Sequence, residues 1–412
     1  QSRYVFQSYS PSSSVIMDAD KAITLVYVKQ HQVTFSQTGL DDSAAGTVVT
    51  VNGVPLAYAG LPYIIWVNSG DSVTYLYQST VPSSVSGKRF MLTGRTGPDS
   101  PIVVTEPIFM TGNYRIQHSV IFAQYGVAGD LLDAVVAIDG VDYDVGGLPV
   151  WFWWDEDSTH SFSFQSPLAV DSGKRYLWTS STGLSTLQSD VITITGTGGV
   201  SAYYQIYHYL DLDTNPYGIG APSGEGWYPA DTFVPISADG LINTGSGTRY
   251  VFNEWTTLDI DEILNPSSVS TVVFLDKAKT VTANYGTQFE VVFSQEGSAV
   301  SPTVTYSIDS GPTQSGAAPF TLWIEPGRSI SYLYESVVPG PADTRYCLVG
   351  VSPPSSQAIY GPLGIVGTYG TQYQVAFAQS GLDPSASGTV LTVNSNDKEY
   401  DDLPYSIWVD SG

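Results

Sequence analysis

Tyr285-Gly286-Thr287-Gln288-Phe289-Glu290-Val291-Val292-Phe293 has recognisable copies elsewhere in this chain. The same step of eight residues from Tyr to Phe returns at Tyr27/Phe35, Tyr114/Phe122 and Tyr369/Phe377, and at Tyr204/Leu212 with Leu in place of Phe. Five copies in one register mark an array of similar modules. After each Tyr only three residues precede the next alternating apolar run, with no Gly/Ser or Pro linker that would let neighbours swing. Such a short seam predicts a stiff rod.

Reading outward from the seams divides the chain at 1–28, 29–115, 116–205, 206–286, 287–370 and 371–412, with the first and last pieces partial. The 29–115 stretch is the template. An alternating strand through Val33 and Phe35 leads by Gly39, Leu40 and Asp41 to a Thr/Val strand that ends at Asn52-Gly53, a strong hairpin signal. After Leu61-Pro62-Tyr63 come a strand through Trp66, a turn at Asn68 to Asp71, and a return strand through Val73, Tyr75 and Tyr77. Lys88-Arg89-Phe90 opens another strand, and Ile102 to Tyr114 closes the module. Across the copies Phe-to-Trp spacing is 30 or 31 residues and Trp-to-Arg spacing 22 or 23. Short strands at period two, divided by turn signals and without a helical pattern, predict an all-β fold: a linear array of immunoglobulin-like sandwiches.

The 206–286 stretch is of another variety. Gly226-Trp227-Tyr228-Pro229, Thr248 to Trp255, and Thr271 to Tyr285, with its Leu275-Asp276 and Thr280-Val281-Thr282-Ala283-Asn284-Tyr285, resemble the internalin-type B repeats, also called Listeria-Bacteroides repeats. Residues 1–28 resemble the end of another, departing at Tyr9 where Trp is expected; the 206–286 copy departs by an insertion around Leu258 to Pro266. The resemblance implies a setting in long bacterial or archaeal surface proteins. It identifies no ligand.

Composition narrows the partners. Lys and Arg number 15 against 39 Asp and Glu, a formal charge of −24, with no basic cluster. Phosphate binding needs a positive footprint, so nucleic acid is excluded as a partner, and an anionic membrane surface with it. No apolar run reaches the length of a membrane span. The single Cys347 rules out an intrachain disulfide, so packing must supply stability. No unblocked Asn-x-Ser/Thr sequon occurs.

Recurrence also serves as a control on candidate sites, because a packing residue should have equivalents in other copies. His31, His118 and His208 share one seam position, where other copies carry Phe289 and Tyr373; a metal ligand is not exchanged for Phe, so they are read as joint packing. Asp155, Glu156 and Asp157 align with ordinary turns at Asn68 to Asp71 and Glu325 to Arg328. They and Asp139, Asp142 and Asp144 offer at most weak calcium binding. In Trp151-Phe152-Trp153-Trp154, Trp153 aligns with the recurrent Trp and is expected in the core, which would leave Phe152 and Trp154 outward as an assembly contact or a sugar platform. The assembly contact is the preferred reading. Arg3, Arg89, Arg175, Arg249 and Arg345 are expected to pair or stack inside their modules, and Cys347 to act as a small buried hydrophobe. No catalytic, cofactor or metal residue is assigned.

The function expected from these features is structural and non-enzymatic: a segment of an extracellular surface filament, sheath, stalk or surface layer that associates with copies of itself. An adhesin or glycan-binding rod, or the spacer modules of a larger secreted enzyme, are the alternatives.

Overall fold

A computed structural model describes residues 1–10, 14–258, 262–354 and 356–412. The expected insertion around Leu258 to Pro266 falls partly outside these. Among the described residues there is no α-helix, and the fold is all-β. The chain divides into two compact units, 1–209 and 210–412.

Four hydrophobic cores follow one another along the sequence. The first is built on Val33, Phe35, Tyr77, Phe90 and Met110, and the second on Val120, Phe122, Trp154, Phe164 and Tyr176. In the second unit, Trp255, Leu275 and Val281 anchor the third core, and Phe293, Tyr334 and Ile365 the fourth. Each lies between two sheets, as immunoglobulin-like sandwiches require. For the second core, one sheet carries Ile108–Tyr125, Val150–Asp155, Lys174–Gly183 and Gly198–Asn215, and the other carries Val136–Ile138, Val141–Tyr143, Thr159–Phe164 and Ser189–Thr193. The strand that opens a sandwich pairs in parallel with the one that closes it, as Val33 does with Ile108, Val120 with Gly198, and Val291 with Leu363.

The hairpin signals fold as expected. Asn52, Asp139, Asp309 and Asn394 take φ of 47, 47, 48 and 47°, the left-handed conformation that a two-residue turn requires. In each of the first three the side chain braces the turn: the backbone N–H of Thr74, Ser161 and Ser329 donates to it at 2.9, 2.9 and 2.7 Å. The expected return strand forms as Ser72–Val73 and Tyr75–Tyr77, with Val73, Tyr75 and Tyr77 all buried.

The seams differ from expectation in one respect. No strand ends at the seam Tyr. Ile108–Tyr125 and Lys279–Glu296 are single strands of 18 residues that pass through Tyr114 and Tyr285 without a break, each about 60 Å long. Ile108–Tyr125 gives Met110 and Tyr114 to the first core and Val120 and Phe122 to the second. Lys279–Glu296 likewise gives Val281 and Tyr285 to the third core, then Val291 and Phe293 to the fourth. Period-two alternation simply carries across the joint, so the same strand face enters both cores. The strand expected from Ile16 to Tyr27 begins only at Thr24, and Ile16 and Met17 are exposed.

Candidate functional site

What recurs in this molecule is the joint, and its geometry starts from the seam strand. At Gln117 and His118 that strand is paired on both edges at once: Gln117 faces Arg89 on one side and Asp155 on the other, and His118 faces Lys88 and Trp154. Gln30 and His31 overlap in the same way, as do Phe289, and Gln372 with Tyr373. The two ladders therefore overlap at the joint. Bending there would break backbone hydrogen bonds on both edges of a central strand.

On the outer face a side-chain clasp spans each of these joints. Arg89 Nε donates to Gln117 Oε1 at 2.8 Å, and its guanidinium lies 4.3 Å from the ring centroid of Trp153, a residue of the next core's sheet. Gln117 Nε2 donates in turn to Asp155 Oδ1 at 2.9 Å. The arrangement repeats as Arg3–Gln30–Trp66 with Asn68, and as Arg345–Gln372–Trp408 with Asp410. Arg249 donates to Gln288 and stacks on Trp323 at 4.4 Å. Arg175, whose register partner is Tyr207, lies over that ring at 5.9 Å. Guanidinium is suited to this role because its planar fork donates in plane while its face stacks.

These positions correct two expectations. Arg3, Arg89, Arg249 and Arg345 act across the joint, not inside their own sandwiches. And Trp153 is not core: it is 39% exposed and Trp151 is 61% exposed, whereas Trp154 is 9% exposed and packs on Phe122 at 5.9 Å, with Phe152 half-buried beside it. The recurrent Trp recurs because the Arg does. Cys347 is also displaced from expectation; it is half-buried at a joint, with Sγ 3.1 Å from Gln372 Oε1.

Beneath the clasp the joint is closed by buried groups. His31, His118 and His208 are 1%, 7% and 8% exposed. His31 Nδ1 sits 2.8 Å from Ser2 Oγ, and His118 Nε2 sits 3.4 Å from Glu156 Oε1. The turn loops touch as well. Gly87 (φ +73°) accepts hydrogen bonds at its carbonyl from Ser119 N–H and Thr197 Oγ1, and a Cβ added to it would stand 2.3 Å from Thr197 Cγ2.

Each seam Tyr has its own mechanical role. Opposite Tyr27, Tyr114, Tyr204, Tyr285 and Tyr369 the partner strand skips one residue, at Gln7, Thr93, Thr179, Asn253 and Val349. Such a bulge adds local twist. Tyr114, Tyr204 and Tyr369 bury their rings and donate Oη to the carbonyls of Gln78, Gln165 and Glu335 at 2.9, 2.9 and 2.7 Å. Burial holds all three phenols above their ordinary range, Tyr114 and Tyr369 at about 12.

The acidic residues after Trp154 form a turn closed by Ser158 N–H on the Asp155 carbonyl, and Asp155 is engaged by Arg115 at 2.6 Å. One constellation escaped the sequence reading. Ser158 Oγ lies 2.9 Å from His160 Nε2, and His160 Nδ1 lies 2.7 Å from Asp139 Oδ2, the connectivity of a nucleophile triad. Its surroundings assign it to the turn. Ser158 Oγ is also 2.6 Å from the Asp155 carbonyl, which can accept its hydrogen in place of the imidazole. The imidazole is stacked on Trp154 at 3.7 Å. In the fourth sandwich Arg328 takes the place of His160, on the hairpin Asp309, at 2.5 Å.

No family model matches the chain, and no curated protein matches it. Among solved structures it is similar to the pilus adhesin SpaC of Lactobacillus rhamnosus GG, at 9% identity over 84% of this chain and 45% of that one, with a TM-score of 0.17. The open conformation of SpaC gives 10% identity and a TM-score of 0.16. BcpA, the major pilin subunit of Bacillus cereus, is similar at 8% identity over 82% of this chain and 99% of that one, with a TM-score of 0.17. The chain thus spans less than half the length of the SpaC chain that it matches.

Proposed function

We propose that this chain is a non-enzymatic structural segment of an extracellular surface filament, sheath or stalk, built from a series of immunoglobulin-like sandwiches. One observation carries the reading: the seam strands Ile108–Tyr125 and Lys279–Glu296 each serve two cores, and the Arg–Gln–Trp clasp is rebuilt at Arg3, Arg89, Arg249 and Arg345. Evolving a joint of this kind repeatedly is of use where length and stiffness are the product. The resemblance of 206–286 to internalin-type B repeats fits the same cell-surface setting. A charge of −24 keeps such a rod soluble until specific lateral contacts form.

Electron microscopy of the native material tests this. Filaments or a lattice whose axial repeat is a multiple of the sandwich length are expected. Isolated particles that flex freely at the seams would overturn it.

A further inference from the structure

We propose that the outer sheet face of the second sandwich binds an uncharged polysaccharide, on Trp151 at one end and on Tyr125 with Tyr203 at the other. Trp151 is 61% exposed, although it lies within the strand Val150–Asp155 and pairs directly with Ile121 of the seam strand. Four residues along that strand, about 13 Å away, Tyr125 pairs with Tyr203 of the closing strand. Their rings stack at 5.2 Å and 19° while remaining 54% and 39% exposed. Between the two platforms the floor is low, because the facing pair there is Ala123 and Ser201. The result is two aromatic surfaces on one rigid sheet with small residues between.

The feature belongs to this sandwich alone. At the register position of Tyr125 and Tyr203, the first sandwich has Thr38 and Asn113, the third Asn215 and Asn284, and the fourth Glu296 and Thr368. Those polar pairs satisfy themselves, with Thr38 Oγ1 2.8 Å from Asn113 Oδ1 and Asn215 Nδ2 3.1 Å from Asn284 Oδ1. The position needs no aromatic for folding.

Charge and area select the occupant. None of the six residues is charged, in a chain with a formal charge of −24. An anionic polymer would be repelled on approach, whereas a neutral one would not. The exposed parts of three rings amount to roughly 300 Å², well short of the ~800 Å² per partner of a stable protein interface. Pyranose rings suit the remainder: their apolar C–H faces cover Trp151 and the tyrosines, while their hydroxyls stay wet and reach Ser201 and its exposed register neighbour Thr182. This site goes beyond the filament reading and does not depend on it.

The test is calorimetric titration of the whole chain with cellohexaose, maltohexaose and mannohexaose, alongside Trp151→Ala, Tyr203→Ala, and Ile64→Ala as a control at the matching exposed position of the first sandwich. At least one hexasaccharide should bind, Trp151→Ala and Tyr203→Ala should each weaken it about tenfold, and Ile64→Ala should leave it unchanged. Near-UV circular dichroism checks that each variant is folded, and Tyr125→Ala serves if either fails. Three results would overturn the proposal: no binding tighter than about 1 mM by any of the three sugars, binding indifferent to both aromatic variants, or concentration-dependent dimerisation of the wild-type chain that Trp151→Ala abolishes.

Discussion

Arg89 stands with its guanidinium 4.3 Å from the ring centroid of Trp153, and the two residues belong to the sheets of successive cores. Neither side chain is needed to complete its own sandwich. The pair is a property of the joint, and a double-mutant cycle should show it. Arg89→Ala and Trp153→Ala are expected to couple by about 1 kcal/mol, the range of a partly exposed cation–π contact. Arg89→Lys should lose most of this, since an ammonium cannot donate to Gln117 and stack at once. Additive effects in the cycle would show the contact to be incidental.

Trp153 and its neighbour Trp154 should respond very differently to truncation. Trp154→Ala opens the second core and should cost about 3–5 kcal/mol, whereas Trp153→Ala should cost about 1 kcal/mol. A chain with several cores does not unfold in two states. The informative readout is therefore hydrogen exchange at the amides of Val120 and Phe122, whose protection should collapse only in Trp154→Ala.

Three glycines touch the next seam. A Cβ on Gly39, Gly126 or Gly297 would stand 1.8, 2.2 or 2.1 Å from the carbonyl oxygen of Tyr114, Tyr204 or Tyr369, and all three have φ between 79 and 98°. Alanine at any of them should destabilise its sandwich by on the order of 3 kcal/mol. Gly53 also has positive φ, but nothing lies within 4 Å of its added Cβ. Gly53→Ala should cost only about 1 kcal/mol, and equal losses at Gly39 and Gly53 would show that the close approach does not matter.

The buried tyrosines predict an alkaline limit. Tyr114 and Tyr369 hold their protons to about 12 in the folded chain, against about 10 when unfolded. Between these values the unfolded state has released protons that the folded state retains, so stability is complete below pH 10 and falls as pH rises toward 12. Thermal melts should show the midpoint level up to about pH 10 and dropping above it. Tyr114→Phe gives up the Gln78 hydrogen bond but should flatten the first sandwich's share of that drop; a slope unchanged by Tyr114→Phe would count against the assignment.

Much of this architecture is legible in the sequence, and what is not has a physical reason. Alternating apolar residues and the turns at Asn52-Gly53 and Asp139-Gly140 specify strands and hairpins locally, so the all-β fold follows from them. Which face of a strand is buried does not follow from recurrence. Trp66, Trp153, Trp323 and Trp408 recur because Arg3, Arg89, Arg249 and Arg345 recur, and a joint contact repeats as faithfully as a core contact. The seam Tyr resembles an ending because only three residues separate it from the next apolar run. The bulge opposite Tyr114 lets one strand serve both cores, and a bulge on the partner strand leaves no mark in the seam's own sequence. The Ser158–His160–Asp139 cluster was hidden for the opposite reason: hairpin pairing joins residues distant in sequence, and no other copy repeats the set.

The central claim is that joints are stiff because a single strand is shared, and an electron–electron spin distance across one joint tests it most directly. Spin labels at Val54→Cys and Val141→Cys, both on exposed hairpins of adjoining sandwiches within the first unit, are introduced in a Cys347→Ser background. The joint as described predicts one narrow distance distribution that broadens when Arg89 and Trp153 are both replaced by Ala. A broad or multimodal distribution in the unaltered joint would contradict it.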